Sequence, residues 1–241
     1  MKDKLQKIMQ EIFGKLPDKV NIIPGNIPID VQIEYFQTSL RAKENINYEL
    51  VLQNHNWLFD NNVSIYDKKF LLAQLASIPR PEAYRIIERY LTNPDAELAN
   101  WARLAYIESR TLLESELLNE QHVIISSGLG GENNLLRYFV ALKIMNDNIT
   151  EGQKKLFELE AQSVIEAHQG KIEEISINFP YIKILLLVNY NDNLSEIFKK
   201  LISKCKEYQL NINEKFIVTN VRKLDDKEIG HFLNKIINEE S

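Results

Sequence analysis

The heptapeptide Leu72-Ala-Gln-Leu-Ala-Ser-Ile78 recurs 29 positions later as Trp101-Ala-Arg-Leu-Ala-Tyr-Ile107, with four of the seven residues identical. The pattern makes each copy the close of one helical segment that follows another. One helix pair cannot bury its apolar face alone, so a repeat of about 30 residues predicts stacked pairs in an α-solenoid. Leu72 and Trp101 occupy the same register, which predicts that Trp101 is a core residue.

Proline sets the boundaries around the two copies. Pro79 and Pro81 stop one helix and start the next, and Asn93-Pro94-Asp95 repeats that punctuation. Apolar spacing predicts helices over 29–42, 46–59, 66–78, 81–91 and 95–113. Ahead of them, Leu5, Ile8, Ile12, Phe13 and Leu16 form a helical stripe within Lys2–Leu16. A Pro- and Asn-rich connection, 17–28, follows it. Residues 1–118 read as an all-helical domain.

The period then changes, and residues 119–241 read as a second, α+β domain. Extended apolar runs at 122–127, 136–144, 171–178, 182–189 and 215–221 alternate with helical patterns at 151–168, 194–208 and 225–237. From Leu136 the order is β-α-β-β-α-β, the ferredoxin-like split motif with an extra strand before it and a helix after it. The continuously apolar strands, 136–144 and 182–189, are expected at the centre of the sheet, and the more polar 171–178 and 215–221 at its edges. A hairpin between 122–127 and 136–144 would crowd a central strand that already has two neighbours. Either the first strand sits elsewhere or the topology departs from the simple motif. The fold class expected is thus multidomain, α followed by α+β.

The stretch Tyr66–Leu113, above all Asn93-Pro-Asp-Ala-Glu-Leu-Ala-Asn-Trp-Ala-Arg-Leu-Ala105, resembles HEAT-type helical repeats, which place Pro-Asp at the turn before a helix carrying small residues and leucines. The resemblance implies a scaffold or adaptor. The second half resembles the ferredoxin-like fold at fold level only, which does not name a function.

Charge narrows the partners. The net charge is -5 over 241 residues. Basic and acidic residues number 14 and 16 through Leu118, and 15 and 18 after it. Neither half advertises a nucleic-acid surface, so nucleic acid ranks last among partners. With Cys205 alone an intrachain disulfide is impossible and a Cys-based zinc site is excluded. The N-terminus lacks the apolar core of a signal peptide, and the longest apolar run, Ile184–Val188, is too short to span a membrane. A cytoplasmic protein is the expectation.

No catalytic constellation assembles along the chain. Ser126 and Ser127 lack the Gly-x-Ser-x-Gly elbow of a hydrolase. His55, His122, His168 and His231 lack ligand spacing, so no metal or cofactor is expected and surface or capping roles are assigned to them. Glu173 and Glu174, adjacent in a strand, are expected on opposite faces. Asp225 and Asp226 open the last helix as capping acids. Cys205, without a histidine partner, reads as an inert thiol.

Two candidate sites remain. The loop Ser126-Ser-Gly-Leu-Gly-Gly-Glu-Asn-Asn134 could form an anion-binding nest from Ser127, Gly128, Gly130, Gly131 and Asn133, with Arg137 adding a fork of donors. It is neither a Walker loop nor a dinucleotide fingerprint, and a plain hairpin loop is the simpler reading. The second candidate is an arginine face, Arg85, Arg89 and Arg103, among Tyr84, Tyr90, Trp101 and Tyr106. Its simpler reading has Arg85 and Arg89 paired with Glu82 and Glu88. The expected function is a non-enzymatic interaction protein. Its helical half presents a surface to a protein partner, and its α+β half docks, forms a homo-oligomer or binds a ligand. The alternative is a sensor holding an anionic small molecule at Gly128–Arg137, and an enzyme with an interdomain site comes third.

Overall fold

The computed structural model describes residues 18–25 and 27–238. The stripe expected over Lys2–Leu16 lies outside them. The described chain forms two compact units, 18–126 and 127–238, so the division falls after the strand at 122–125 rather than at 118.

The first unit comprises β1 (Lys19–Ile22), α1 (Ile29–Ala42), α2 (Tyr48–Gln53), a 3-10 segment (Asn54–Phe59), α3 (Ile65–Ala76), α4 (Pro81–Leu91), α5 (Ala99–Leu118) and β2 (His122–Ile125). Most of the repeat's matched positions are core in both copies: Leu72, Ala73, Leu75 and Ala76 in α3 and Trp101, Ala102, Leu104 and Ala105 in α5 are all buried, and all but Ala73 belong to one cluster, while Ile78 is buried and its counterpart Ile107 only half-buried. Small residues at those positions let α3 and α5 approach closely, and α5 also packs against α1 and α4. Trp101 is core as its register predicts; it donates Nε1–H to the Lys69 carbonyl at 3.0 Å and meets Tyr35 edge-on. The second copy opens its helix instead of closing it, because α5 runs on to Leu118.

Residues 19–22, expected as part of a connection, form a strand. It pairs in parallel with β2, from Lys19 opposite His122 to Ile22 opposite Ile125. The run at 122 therefore forms no hairpin with 135–143, and the crowding noted in the sequence disappears. The first and last described segments of the helical unit are clasped to each other.

Two buried charges pin the helices. Glu108 of α5, 7% exposed, accepts from Tyr35 at 2.6 Å, Ser39 at 2.7 Å and Lys43 at 2.8 Å. Burial, and then the neighbouring carboxylate, push the Tyr35 hydroxyl well above its usual value. Lys68 of α3, 2% exposed, reaches Asp95 at 2.8 Å, and the Tyr90 hydroxyl donates to the same carboxylate oxygen at 2.7 Å. A buried charge is tolerable only with this kind of satisfaction.

The second unit comprises β3 (Gly131–Glu132), β4 (Leu135–Lys143), α6 (Glu151–Glu166), β5 (Lys171–Asn178), β6 (Tyr181–Asn189), α7 (Leu194–Cys205), β7 (Ile217–Thr219) and α8 (Asp226–Asn238). Its sheet is antiparallel, β4 pairing with β6 and β7, and β6 with β5. The apolar strands β4 and β6 are central. A two-residue strand not foreseen from sequence, β3, forms a hairpin with the start of β4. On β4, Phe139 and Ala141 pack with Ile217, Ile229 and Leu233, so α8 covers that face. Leu136, Tyr138, Val140 and Leu142 alternate to the opposite face, left to α6 and α7, whose inward stripes include Phe157, Ile165, Phe198 and Leu201. A capping box at Thr150 and Gln153 starts α6. No helix among the described residues is long and apolar enough to cross a membrane.

Candidate functional site

The Gly-rich loop is committed to the fold. Asn133 and Asn134 both have positive φ, 49° and 66°, and link β3 to β4 as a tight two-residue turn. Gly128 is a close-approach glycine, since a Cβ there would stand 1.9 Å from the Val221 carbonyl oxygen. Gly130, at φ 63°, donates its N–H to Ser127 Oγ at 2.9 Å, and Leu129 N–H goes to the Asn220 carbonyl at 2.9 Å. Gly131 is paired opposite Leu136. Arg137 is held bidentately by Glu173, Nε to Oε2 at 2.5 Å and Nη2 to Oε1 at 2.8 Å, while its Nη1 donates to the Leu129 carbonyl at 2.8 Å. The Arg137 guanidinium holds the Glu173 carboxyl below its usual value. Arg137 and the N–H groups of Leu129 and Gly130, donors that would bind an anion in such a loop, are thus turned to partners in the chain.

Glu173 also corrects an expectation. The register of β5 against β6 skips from Ile172 to Glu174, a bulge at Glu173. Two residues then oppose one, and strict alternation fails. Glu173 grips Arg137 while Glu174 pairs with Lys223 and lines a 180 Å³ cavity beside Phe139 and Leu185. Both acids are thereby used on the sheet face that carries Arg137 and Phe139.

The histidines separate. The His122 side chain is fully buried, Nε2 lying 2.9 Å from Glu120 and Nδ1 3.7 Å from Glu114, so it is no surface group. His168 Nδ1 is 3.6 Å from Asp192 beyond the end of α6. Cys205 is buried and accepts a hydrogen bond from Tyr208 at 2.9 Å, and burial raises its thiol pKa, which disfavours the thiolate. No cluster of three metal-ligating side chains exists among the described residues.

The arginine face behaves differently. The buried stripe of α4 is Ala83, Ile86, Ile87 and Tyr90, which turns Glu82, Arg85 and Arg89 outward at spacings of three and four. The expected pairs do not form: Glu88 receives a hydrogen bond from Tyr84, and neither Arg85 nor Arg89 makes an ion pair among the described residues. Both line a 350 Å³ groove with Glu82, Ile86 and His55. Arg89 lies over the Phe59 ring at 4.4 Å. That contact positions the guanidinium without neutralising it. His55 Nδ1 sits 2.7 Å from the Leu52 carbonyl, which can only accept, so the proton is on Nδ1 and Nε2 is left for a ligand. Two cations and an imidazole thus face one carboxylate. Arg103 is exposed on α5 and does not line this groove. His55 and Phe59 were not legible as site residues because they reach it through the 3-10 segment, whose spacing an α-helical reading misplaces.

Among known proteins, no family model and no curated protein matches the chain.

Proposed function

We propose that the chain is a non-enzymatic interaction protein whose helical unit docks an acidic segment of a protein partner in the groove of His55, Arg85 and Arg89. One observation carries this reading: two arginines a turn apart, exposed and without ion pairs among the described residues, share one groove. Four other arginines are ion-paired, Arg80–Glu49, Arg110–Glu114, Arg137–Glu173 and Arg222–Glu228, whereas Arg41 and Arg103 make no ion pair among the described residues but line no groove with a second arginine. Guanidinium forks suit carboxylates and pay little desolvation in an open groove. In this reading the helical unit is a short HEAT-like array, supported by the buried Ala and Leu positions common to both copies. The second unit is ferredoxin-like, supported by the order β7-β4-β6-β5 with antiparallel neighbours, and the single buried cysteine suits the cytoplasm.

The test is fluorescence anisotropy of labelled Asp/Glu-rich peptides with the full chain. Binding weakens about tenfold or more in Arg85→Ala/Arg89→Ala and falls as salt rises. Unchanged binding in that variant, or stronger binding to duplex or single-stranded DNA than to peptide, overturns the proposal.

A further inference from the structure

On the other side of the 3-10 segment lies a second groove of opposite character. It occupies 390 Å³ between α2, the segment and α3, with the aromatic side chains of Trp57, Tyr66 and Phe70 and the carboxylate of Asp67 in its walls. Trp57 is 49% exposed and Tyr66 70%, large apolar surfaces to leave in water. Among the described residues none of these three rings stacks on another ring or carries a cation. Nearby rings do: Lys69 sits 4.5 Å from the centre of Trp101, Arg80 5.7 Å from Tyr48, and Arg89 4.4 Å from Phe59. Asp67 accepts from Ser64 at 2.6 Å and makes no ion pair. No lysine or arginine lines the groove, so it offers no cation to an anion.

Carboxamides supply the rest of the polar lining. The side chains of Asn45, Asn54 and Gln74 make no hydrogen bond among the described residues, and Asn47 uses only its oxygen, on Leu50 N–H at 3.1 Å. A carboxamide offers one acceptor and two donors, the complement of a peptide backbone. The segment 54–59 is the ridge between the two grooves: Asn54 and Trp57 line this one, while His55 lines the arginine groove and Phe59 underlies Arg89.

We infer that the amide-and-aromatic groove takes a lysine or arginine side chain of an extended peptide, and that this residue lies beside the acidic one bound across the ridge. The aromatic faces hold the cation, Asp67 neutralises it, and the carboxamides take the backbone. The inference rests on the docking reading above and extends it from an acidic segment to one of mixed charge.

The experiment is an array of short peptides of varied sequence probed with the full chain. Binders are then measured in solution against the wild type, Trp57→Ala, Trp57→Phe, Asp67→Asn and Arg85→Ala/Arg89→Ala. The altered residues are exposed, and melting curves check that each variant folds. The expected binders carry Lys or Arg close to Asp or Glu. Trp57→Ala and Asp67→Asn each weaken them about tenfold, and Trp57→Phe restores most of the loss. Replacing the peptide's basic residue by Gln weakens binding to the wild type by a similar factor and adds little on Trp57→Ala. Binding that depends on Arg85 and Arg89 but ignores Trp57 and Asp67 overturns this inference and leaves the docking site intact. The reverse dependence keeps this groove and overturns the docking site, and an array without binders overturns both. The chain has two tryptophans and Trp101 is buried, so fluorescence quenching reports on Trp57. Quenching by neutral oligosaccharides but not by basic peptides overturns the inference in favour of a sugar site.

Discussion

Arg137 and the pair Arg85 and Arg89 are the same residue type in opposite circumstances. Arg137 spends its guanidinium on Glu173 and the Leu129 carbonyl, and in the loop beneath it the N–H groups of Leu129 and Gly130 go to backbone and side-chain acceptors. Arg85 and Arg89 face a groove with a single carboxylate and form no ion pair among the described residues. A functional charge is one whose hydrogen-bonding capacity the fold leaves unspent. Glycine content or arginine spacing does not measure that capacity.

The comparison breaks if the committed groups prove dispensable for folding. Glu108, with three donors on it, sets the upper end: Glu108→Ala is expected to destabilise by about 3 kcal/mol in urea unfolding, because it leaves the buried Tyr35 and Ser39 hydroxyls without their acceptor. Gly128→Ala follows at about 2 kcal/mol, since the Val221 carbonyl blocks a Cβ and backbone must move. Arg137→Ala is expected to cost about 1–2 kcal/mol, and a double-mutant cycle with Glu173→Ala should show coupling of about 1 kcal/mol, as both side chains are mostly buried. A cycle with no coupling would return Arg137 to the candidate ligand site.

Asp95 sharpens the comparison through pH. The hydrogen bond from Lys68, and then that from Tyr90, hold its carboxyl below the usual aspartate value. A depressed folded pKa means stability that is present above the unfolded value and lost as pH falls through the folded one. Asp95→Asn should therefore flatten the acid side of the stability curve, below the ordinary aspartate range, and leave its shape at neutral pH alone. The smallest stability effect belongs to the groove: Arg85→Ala/Arg89→Ala should change unfolding free energy by no more than about 0.5 kcal/mol while abolishing most acidic-peptide binding. A large loss of stability in that variant would place these arginines with Arg137.

The elements were largely legible because their punctuation is local. Residues 29–42, 81–91 and 171–178 coincide with α1, α4 and β5, where Pro28, Pro81 and the turn at Phe179-Pro180 mark the ends. β1 was not legible: four residues between two prolines carry little pattern, and their partner lies about a hundred residues away, from Lys19 to His122. β3 is two residues long and exists only as the far side of the Asn133-Asn134 turn. Of the sites, Arg85 and Arg89 were visible as a helical stripe. His55, Trp57 and Asn54 were not, because a 3-10 segment distributes them to two sides.

Sequence alone determined that helices with Ala and Leu at shared positions pack in the first half, and that apolar strands centre an antiparallel sheet in the second. Periodicity and burial are properties of neighbouring residues, so they survive in one dimension. Tertiary structure decided which polar groups are spent. That depends on pairings between distant residues, such as Arg137 with Glu173, Glu108 with Tyr35 and Lys68 with Asp95. It turned the glycine loop into scaffolding and left the two grooves beside Asn54–Phe59 with chemistry to offer.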